Sequence, residues 1–213
     1  MKSKAKLMQI SGSVGPLELR VVNALVGQAS QQGLQNHTLV VISHPHSLYG
    51  GTMDNKVVTT MERFFQSIGY STIAYNFRGV GASAGEYDGG VGEQRDLQSV
   101  VDWARSELAF DTLIIAGFSF GAYVTLSAQP KVLADRLLIV APPVGLYDFS
   151  AVSEVQVPWD MLVGLEDEVV DVKEMLNWAM NLSHKPSLYC RAQASHFFHG
   201  QLIWLKKVLS LTY

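Results

Sequence analysis

The sequence predicts an α/β protein built on a parallel sheet that helices cover on both faces. From residue 38 onward, short apolar segments rich in β-branched residues alternate with longer segments of helical periodicity, an order typical of strand–helix–strand units. The short segments lack polar alternation, as expected for strands buried on both faces. Hydrophobic residues make up 48% of the 213 residues and charged residues 16%. This balance suits one domain, spanning residues 1–213, with a large core.

The elements follow one another in a regular order. A hairpin is expected first, with strands at residues 5–10 and 17–22 around a turn rich in glycine and serine. Six further strands are predicted at residues 38–43, 71–76, 112–116, 136–141, 159–164 and 186–191. Apolar residues three and four apart predict helices between or after them, at residues 57–68, 97–108, 122–130, 172–182 and 202–209.

Composition excludes several classes of function. The net charge of −3 and the absence of a basic stripe argue against nucleic-acid binding. No apolar run approaches the ~20 residues of a membrane span, and residues 1–12 contain no apolar signal segment. We therefore expect a cytoplasmic protein with no membrane partner. Cys190 is the single cysteine, so no intrachain disulfide can form, and its position in a predicted strand favours a buried structural thiol.

Residues 117–121, Gly-Phe-Ser-Phe-Gly, join a predicted strand to a predicted helix. A serine flanked by glycines at −2 and +2 in this context matches a nucleophile elbow. The sharp turn exposes the hydroxyl at a helix N-terminus, where developing negative charge is favoured. Ser119 is thus the candidate nucleophile. The alternative is a glycine-flanked turn without catalysis.

A serine nucleophile needs a base, and the loop after the last predicted strand supplies histidines. His196 lies on that loop and His199 lies close to the last helix. We expect His196 to be the base because a loop residue is freer to reach inward. His199, which we place in the first turn of that helix, is then a structural or pocket-rim residue.

The base needs an acid, which this kind of elbow takes from a loop between the nucleophile and the base. Residues 164–170, Gly-Leu-Glu-Asp-Glu-Val-Val, follow the predicted strand 159–164. We prefer Asp167, since a short side chain suits a fixed hydrogen bond to an imidazole. Glu166, Glu168 and Asp171 are the alternatives.

Two backbone amides are candidates for holding the oxyanion. One is that of Phe120, directly after the nucleophile, and the other comes from the loop at residues 44–51, where we expect His46 to supply it. A metal pair formed by His44 and His46 is a weaker alternative, because no further ligand follows at a suitable spacing.

The glycine-rich residues 78–85 could be mistaken for a dinucleotide-binding loop. Their glycines have the spacing G-x-G-x-x-x-G, whereas the dinucleotide-binding motif is G-x-G-x-x-G, and no helix follows directly. Since a serine–histidine–aspartate site needs no metal either, we expect no cofactor and no metal.

Together with the motifs at residues 44–51, 76–83, 141–143 and 196–200, this arrangement resembles the α/β-hydrolase superfamily. The similarity is to a small lidless bacterial group of the size of dienelactone hydrolases. The resemblance implies a mostly parallel eight-stranded sheet with an antiparallel second strand, and the roles of nucleophile, acid and base for Ser119, Asp167 and His196. Only residues 142–158 separate the sixth and seventh strands, which leaves no room for a cap domain.

The sequence therefore predicts a serine hydrolase that cleaves carboxylic esters or thioesters of small or medium acyl groups, as a monomer or homodimer. Aromatic residues near the elbow are expected to wall the substrate pocket: Tyr49, Phe118, Tyr123 and Phe197, with Phe120, Tyr147 and Phe149 as further candidates. Two alternatives stay open. One is a non-catalytic binding module on the same fold, and the other is an acyltransferase or peptidase that uses the same three residues.

Overall fold

All eight predicted strands are present, with ends shifted by at most two residues. The computed structural model describes residues 4–23, 37–152 and 154–213. Within these residues the strands are β1 (Lys6–Gly12), β2 (Gly15–Val22), β3 (Thr38–Ser43), β4 (Ser71–Tyr75), β5 (Thr112–Phe118), β6 (Arg136–Val140), β7 (Trp159–Gly164) and β8 (Ser187–Arg191).

The strands form one sheet in the order β1-β2-β4-β3-β5-β6-β7-β8. β2 runs antiparallel to both of its neighbours, and the pairs from β4 to β8 are parallel. This is the mostly parallel sheet with an antiparallel second strand that was expected. Because the carboxyl ends of parallel strands meet at one edge, the loops after β3, β5, β7 and β8 converge there.

Helices cover both faces of the sheet. They are α1 (Lys56–Ser67), α2 (Val91–Glu107), α3 (Phe120–Val132), α4 (Val172–Asn181) and α5 (Leu202–Thr212). Side chains of α1 and α5 share one core with alternate β3 residues such as Val40 and Ile42. Side chains of α2, α3 and α4 share the other core with Leu39 and Val41. The period of two along β3 therefore divides its wholly buried side chains between two layers.

Three local expectations are corrected by the structure. The hairpin turn is tighter than predicted, because Gly12 pairs directly with Gly15 and leaves two residues at its tip. α3 continues two residues past Pro130, where it was expected to end. Cys190 is exposed rather than buried, because β8 is an edge strand that pairs only with β7 among the described residues.

No cap domain interrupts the chain between β6 and β7. The described residues of this connection form turns and a single isolated bridge, so the edge of the sheet above β5 stays uncovered. Within the described residues, no α-helix combines the length and apolarity that a membrane crossing requires.

His44 ties the ends of two central strands together. It is wholly buried directly after β3, and its Nε2 accepts a hydrogen bond from the backbone N–H of Phe77, after β4, at 3.0 Å. Its Nδ1 then carries the proton and donates to the carbonyl of Pro45 at 2.6 Å. Both ring nitrogens are satisfied only in the neutral form, and burial lowers the pKa of His44 to about 4.

We expect this histidine to make folding stability depend on pH. The unfolded side chain titrates near its ordinary pKa of about 6.5, so the unfolded chain binds the extra proton between pH 6.5 and 4. The stabilisation is complete above pH 6.5 and is lost as the pH falls towards 4, by about 3 kcal/mol. Urea unfolding at pH 7 and pH 4.5 should show a smaller loss in His44→Gln than in wild type.

The matched control is His184→Gln, which removes an exposed ring. It should keep the wild-type pH dependence. Equal pH dependence in all three proteins would contradict the role given to His44.

Candidate active site

Ser119 occupies the sharp turn between β5 and α3. Its backbone has φ 54° and ψ −121°, in the left-handed half of conformational space that costs a non-glycine residue about 1–3 kcal/mol. A β-carbon on Gly121 would collide with the carbonyl oxygen of Ser43, and one on Gly117 would collide with the backbone of Gly121. Glycine at −2 and +2 is therefore a steric requirement of this turn.

The three side chains predicted for the site lie together. His196 Nε2 lies 2.8 Å from Ser119 Oγ, and His196 Nδ1 lies 2.8 Å from Asp167 Oδ2. The side chains of His196 and Asp167 are 2% and 0% exposed. Residues from the loops after β5, β7 and β8, spread over 77 positions, thus meet at one hydroxyl.

Asp167 is fixed in the orientation that faces the imidazole. Its Oδ1 accepts hydrogen bonds from the backbone N–H groups of Val169 and Val170 at 2.9 and 2.8 Å. Oδ2 is thereby left for His196. Because an ionised carboxylate only accepts hydrogen bonds, it selects the imidazole tautomer with the proton on Nδ1. Nε2 is then the acceptor for the serine O–H.

The loops that carry the acid and the base are fastened to each other. The backbone N–H of Leu165 donates to the carbonyl of Arg191 at 2.9 Å, and that of Glu166 donates to the carbonyl of Ala194 at 3.0 Å. Gly164 permits this approach, since a β-carbon there would collide with the Ala194 carbonyl oxygen. The distance from Asp167 to His196 therefore rests on backbone contacts as well as on side chains.

The residues considered as alternatives to Asp167 and His196 lie elsewhere or make other hydrogen bonds. Asp171 caps α4, where its carboxylate accepts from two backbone N–H groups of the first turn. Glu168 accepts from the backbone N–H of His196 at 3.0 Å, and Glu166 is exposed. His199 is also exposed and stacks on Phe197 at 5.8 Å. It lies before α5, which begins at Leu202, and this corrects its expected place in the helix.

Both predicted oxyanion amides border the cavity that contains Ser119. Phe120 is the first residue of α3, so its N–H has no intrahelical acceptor. The N–H of His46 has no acceptor among the described residues. The carbonyl of His46 accepts from the N–H groups of Tyr49 and Gly51 at 3.2 and 3.0 Å, which holds the loop in a tight turn. Their role as oxyanion donors stays a prediction.

The cavity at Ser119 has a volume of about 530 Å³. Tyr49 and Phe197 line it as expected, together with Tyr147 from the connection between β6 and β7. The lining contains no Asp, Glu, Lys or Arg side chain. A neutral, largely apolar group is the chemical class that such walls accommodate.

Three residues expected on the wall, Phe118, Tyr123 and Phe149, lie outside this lining. Phe118 is fully buried and packs beneath the catalytic candidate His196, with ring centroids 5.3 Å apart. Tyr123 stacks against Tyr147 at 4.8 Å, one layer behind the wall. Phe118 and Tyr123 thus support residues that line the cavity, and Phe149 is buried against Tyr123 with ring centroids 5.3 Å apart. The substrate pocket itself stays a prediction.

Outside the loop at residues 44–51, sequence reasoning missed four lining residues: Asn55, Pro143, Leu146 and Val169. Leu146 is 58% exposed, and it lies in the short connection that replaces a cap. An apolar residue in that connection was the available signal. The other three carry no sequence pattern that marks a pocket.

The glycine-rich loop at residues 78–85 is tied down by ionic contacts beside the site. Arg78 donates from Nε and Nη2 to the Asp96 carboxylate at 3.0 and 2.8 Å, and both side chains are buried. Burial of a paired arginine in this way indicates a structural loop. No group of three or more His, Cys, Asp or Glu side chains in the described ranges could hold a metal ion.

The strained backbone at Ser119 predicts a stability difference between two variants at this position. Ser119→Gly should be more stable to urea than Ser119→Ala by about 1 kcal/mol, because glycine adopts a positive φ without a steric penalty. Both variants lose the same hydrogen bond to His196, so the comparison isolates the backbone. Equal unfolding free energies would contradict the strain.

The chain is similar in sequence to a family of hydrolases and to a bacterial protein. The sequence profile of the family described as X-Pro dipeptidyl-peptidase (S15 family) matches residues 28–154. An uncharacterized protein of Rickettsia prowazekii is 35% identical over 184 residues, which are 81% of this chain and 76% of that protein.

Solved structures are similar over nearly the whole chain. A serine hydrolase without a lid from Xanthomonas campestris is 38% identical, with a TM-score of 0.87 over 98% of this chain and 93% of that one. An α/β serine hydrolase homologue from Coxiella burnetii is also 38% identical, with a TM-score of 0.86 over 96% and 95%. The chain therefore belongs to the S15 family, whose profile bears the name of the X-Pro dipeptidyl-peptidases, and has the lidless form of the α/β-hydrolase fold.

Proposed function

We propose that the chain is a serine hydrolase that cleaves neutral carboxylic esters or thioesters of small or medium acyl groups. The observation that carries the proposal is the hydrogen-bonded series Ser119–His196–Asp167 at the floor of an uncharged cavity. A nucleophile, a base and an orienting acid in hydrogen-bond contact are the parts that acyl transfer through serine requires.

The reaction follows from the tautomer that Asp167 selects. His196 Nε2 takes the proton of Ser119 as Oγ attacks the carbonyl carbon, and Asp167 stabilises the imidazolium that forms. The N–H groups of Phe120 and His46 hold the oxyanion, helped by the positive end of α3. The imidazolium then gives its proton to the leaving oxygen or sulfur. Water, deprotonated by the same imidazole, releases the acid from the acyl-enzyme and restores the serine.

The walls of the cavity favour neutral substrates. A dipeptidyl-peptidase substrate carries an N-terminal ammonium, which is costly to desolvate without a carboxylate partner. The described lining offers none. The volume of about 530 Å³ suits an acyl group of modest length. The absence of a cap leaves the acyl-enzyme open to water, which favours hydrolysis over transfer to a second acceptor.

A second candidate is cleavage after an X-Pro dipeptide, and the family profile over residues 28–154 favours it. The two functions differ in the charge of the acyl part. p-Nitrophenyl butyrate and p-nitrophenyl β-alaninate form an almost isosteric pair, in which an ammonium replaces a methyl group. Ala-Pro p-nitroanilide is the direct substrate of the second candidate.

We expect kcat/KM for the butyrate to exceed that for the β-alaninate by about 10²-fold or more, because the ammonium would be buried without a partner. Ala-Pro p-nitroanilide should be a poor substrate. Each rate is corrected with Ser119→Ala as the background. Preference for the ammonium ester together with rapid cleavage of the dipeptide would overturn the proposal in favour of the peptidase. No turnover of any of them would favour a binding module.

A further inference from the structure

The side chain of His46 presents an unused hydrogen-bond donor at the cavity wall. Its Nδ1 accepts from the backbone N–H of Leu48 at 3.2 Å, where His46 caps the short 3-10 helix Ser47–Tyr49. Burial lowers the pKa of His46, which favours the neutral ring. With Nδ1 as an acceptor, the single proton of that ring lies on Nε2. No acceptor for it exists among the described residues.

Aromatic neighbours hold this ring in place. Its centroid lies 4.7 Å from that of Tyr49, 4.7 Å from that of Tyr87 in a stacked arrangement, and 5.2 Å from that of Phe120. Tyr147 lies 6.3 Å away. A ring packed on several sides and tied at Nδ1 has one orientation. Its Nε2–H is therefore a fixed donor in an uncharged wall, whose other polar side chains include Asn55 and Tyr147.

The donor lies on the acyl side of Ser119. The leaving group must take its proton from His196 Nε2, so it lies beside Phe197, the lining residue whose ring contacts that of His196. The rings around His46 are a separate set, joined to the elbow through Phe120. The acyl group therefore extends towards His46.

We propose that His46 is a specificity-determining residue, whose Nε2–H binds a neutral acceptor oxygen in the acyl chain of the substrate. The inference rests on the proposed esterase function and names its substrate class: esters of oxygenated acids, with an ether, hydroxyl or keto oxygen beyond the scissile carbonyl. In a largely apolar wall, an unpaired N–H disfavours a purely hydrocarbon chain. The oxygenated chain should gain about five- to tenfold in kcat/KM.

Three proteins and four esters test this proposal. The esters are p-nitrophenyl hexanoate and its 3-oxa, 4-oxa and 5-oxa analogues, in which an oxygen replaces one methylene. The proteins are wild type, His46→Asn and His46→Gln. Asparagine keeps an acceptor near the Nδ1 position and removes the distal donor. Glutamine keeps a distal N–H donor and removes that acceptor. Intrinsic ester reactivity cancels when each wild-type rate is divided by the rate of the variant.

For at least one oxa position, the ratio of wild type to His46→Asn should be five- to tenfold larger than for hexanoate. His46→Gln should retain part of the preference.

Ratios within twofold at every position would overturn the inference, and so would a greater loss in Gln than in Asn, which would indicate a capping role alone. If neither variant folds, wild-type rates divided by the alkaline hydrolysis rates decide the same question. Absence of turnover of all four esters by wild type would instead refute the proposed function, and the inference falls with it.

Discussion

Ser119→Ala is expected to lower kcat for ester hydrolysis by about 10⁶-fold, to a rate close to that of the oxyanion-binding groups alone. The reason is that Oγ is the nucleophile that forms the acyl-enzyme in the proposed mechanism. Labelling by a fluorophosphonate probe should disappear completely. Hydrolysis of p-nitrophenyl butyrate and gel fluorescence after labelling measure the two effects.

His196→Ala is the companion variant, because it keeps Oγ and removes its base. It should be labelled much more slowly than wild type and should hydrolyse the ester as poorly as Ser119→Ala, since the two residues act as one unit. Labelling of Ser119→Ala at the wild-type rate would place the nucleophile elsewhere. Circular dichroism establishes that each variant is folded.

Asp167→Asn is expected to lower kcat by about 10⁴-fold at pH 7. Two backbone N–H groups, of Val169 and Val170, hold the Oδ1 position, so an asparagine would place its carbonyl oxygen there and turn its NH2 group towards His196. That NH2 would donate to Nδ1 and move the imidazole proton to Nε2. An imidazole protonated at Nε2 cannot accept the proton of Ser119.

The matched control is Glu166→Gln, which removes one negative charge from the same loop at an exposed position. Its kcat should stay within about twofold of wild type, as expected for an exposed charge in screened solvent. If Asp167→Asn kept more than about a tenth of wild-type kcat, the carboxylate would not select the tautomer. Steady-state kinetics with p-nitrophenyl butyrate at pH 7 distinguish these cases.

The order of the fold and the positions of the three central residues could be predicted because both depend on local pattern. β3 and β7 begin and end at the predicted residues, and the loops after parallel strands must meet at one edge. The glycines around Ser119 mark a turn whose steric demands are independent of the rest of the chain. Topology then brings the acid and the base to the same place.

The pocket wall could not be predicted to the same degree, because it depends on which way each side chain points. Phe118 is the last residue of β5, and the alternation along that strand turns its ring into the layer of α1 and α5. Tyr123 is a full helical turn into α3 and packs against Tyr147 instead of the cavity. Cys190 was misplaced for a similar reason, since a strand's position at the sheet edge is a property of topology.

The close approach of Gly164 to Ala194 couples the loop that carries Asp167 to the loop that carries His196. A thermal fluctuation that lifts one of their loops must carry the other with it, because the hydrogen bonds of Leu165 and Glu166 cross between them. The elbow is anchored separately, against β3 through Gly121. On warming, we therefore expect activity to be lost when Asp167 and His196 move away from the site together. Ser119 should keep its position in a sheet that is still folded.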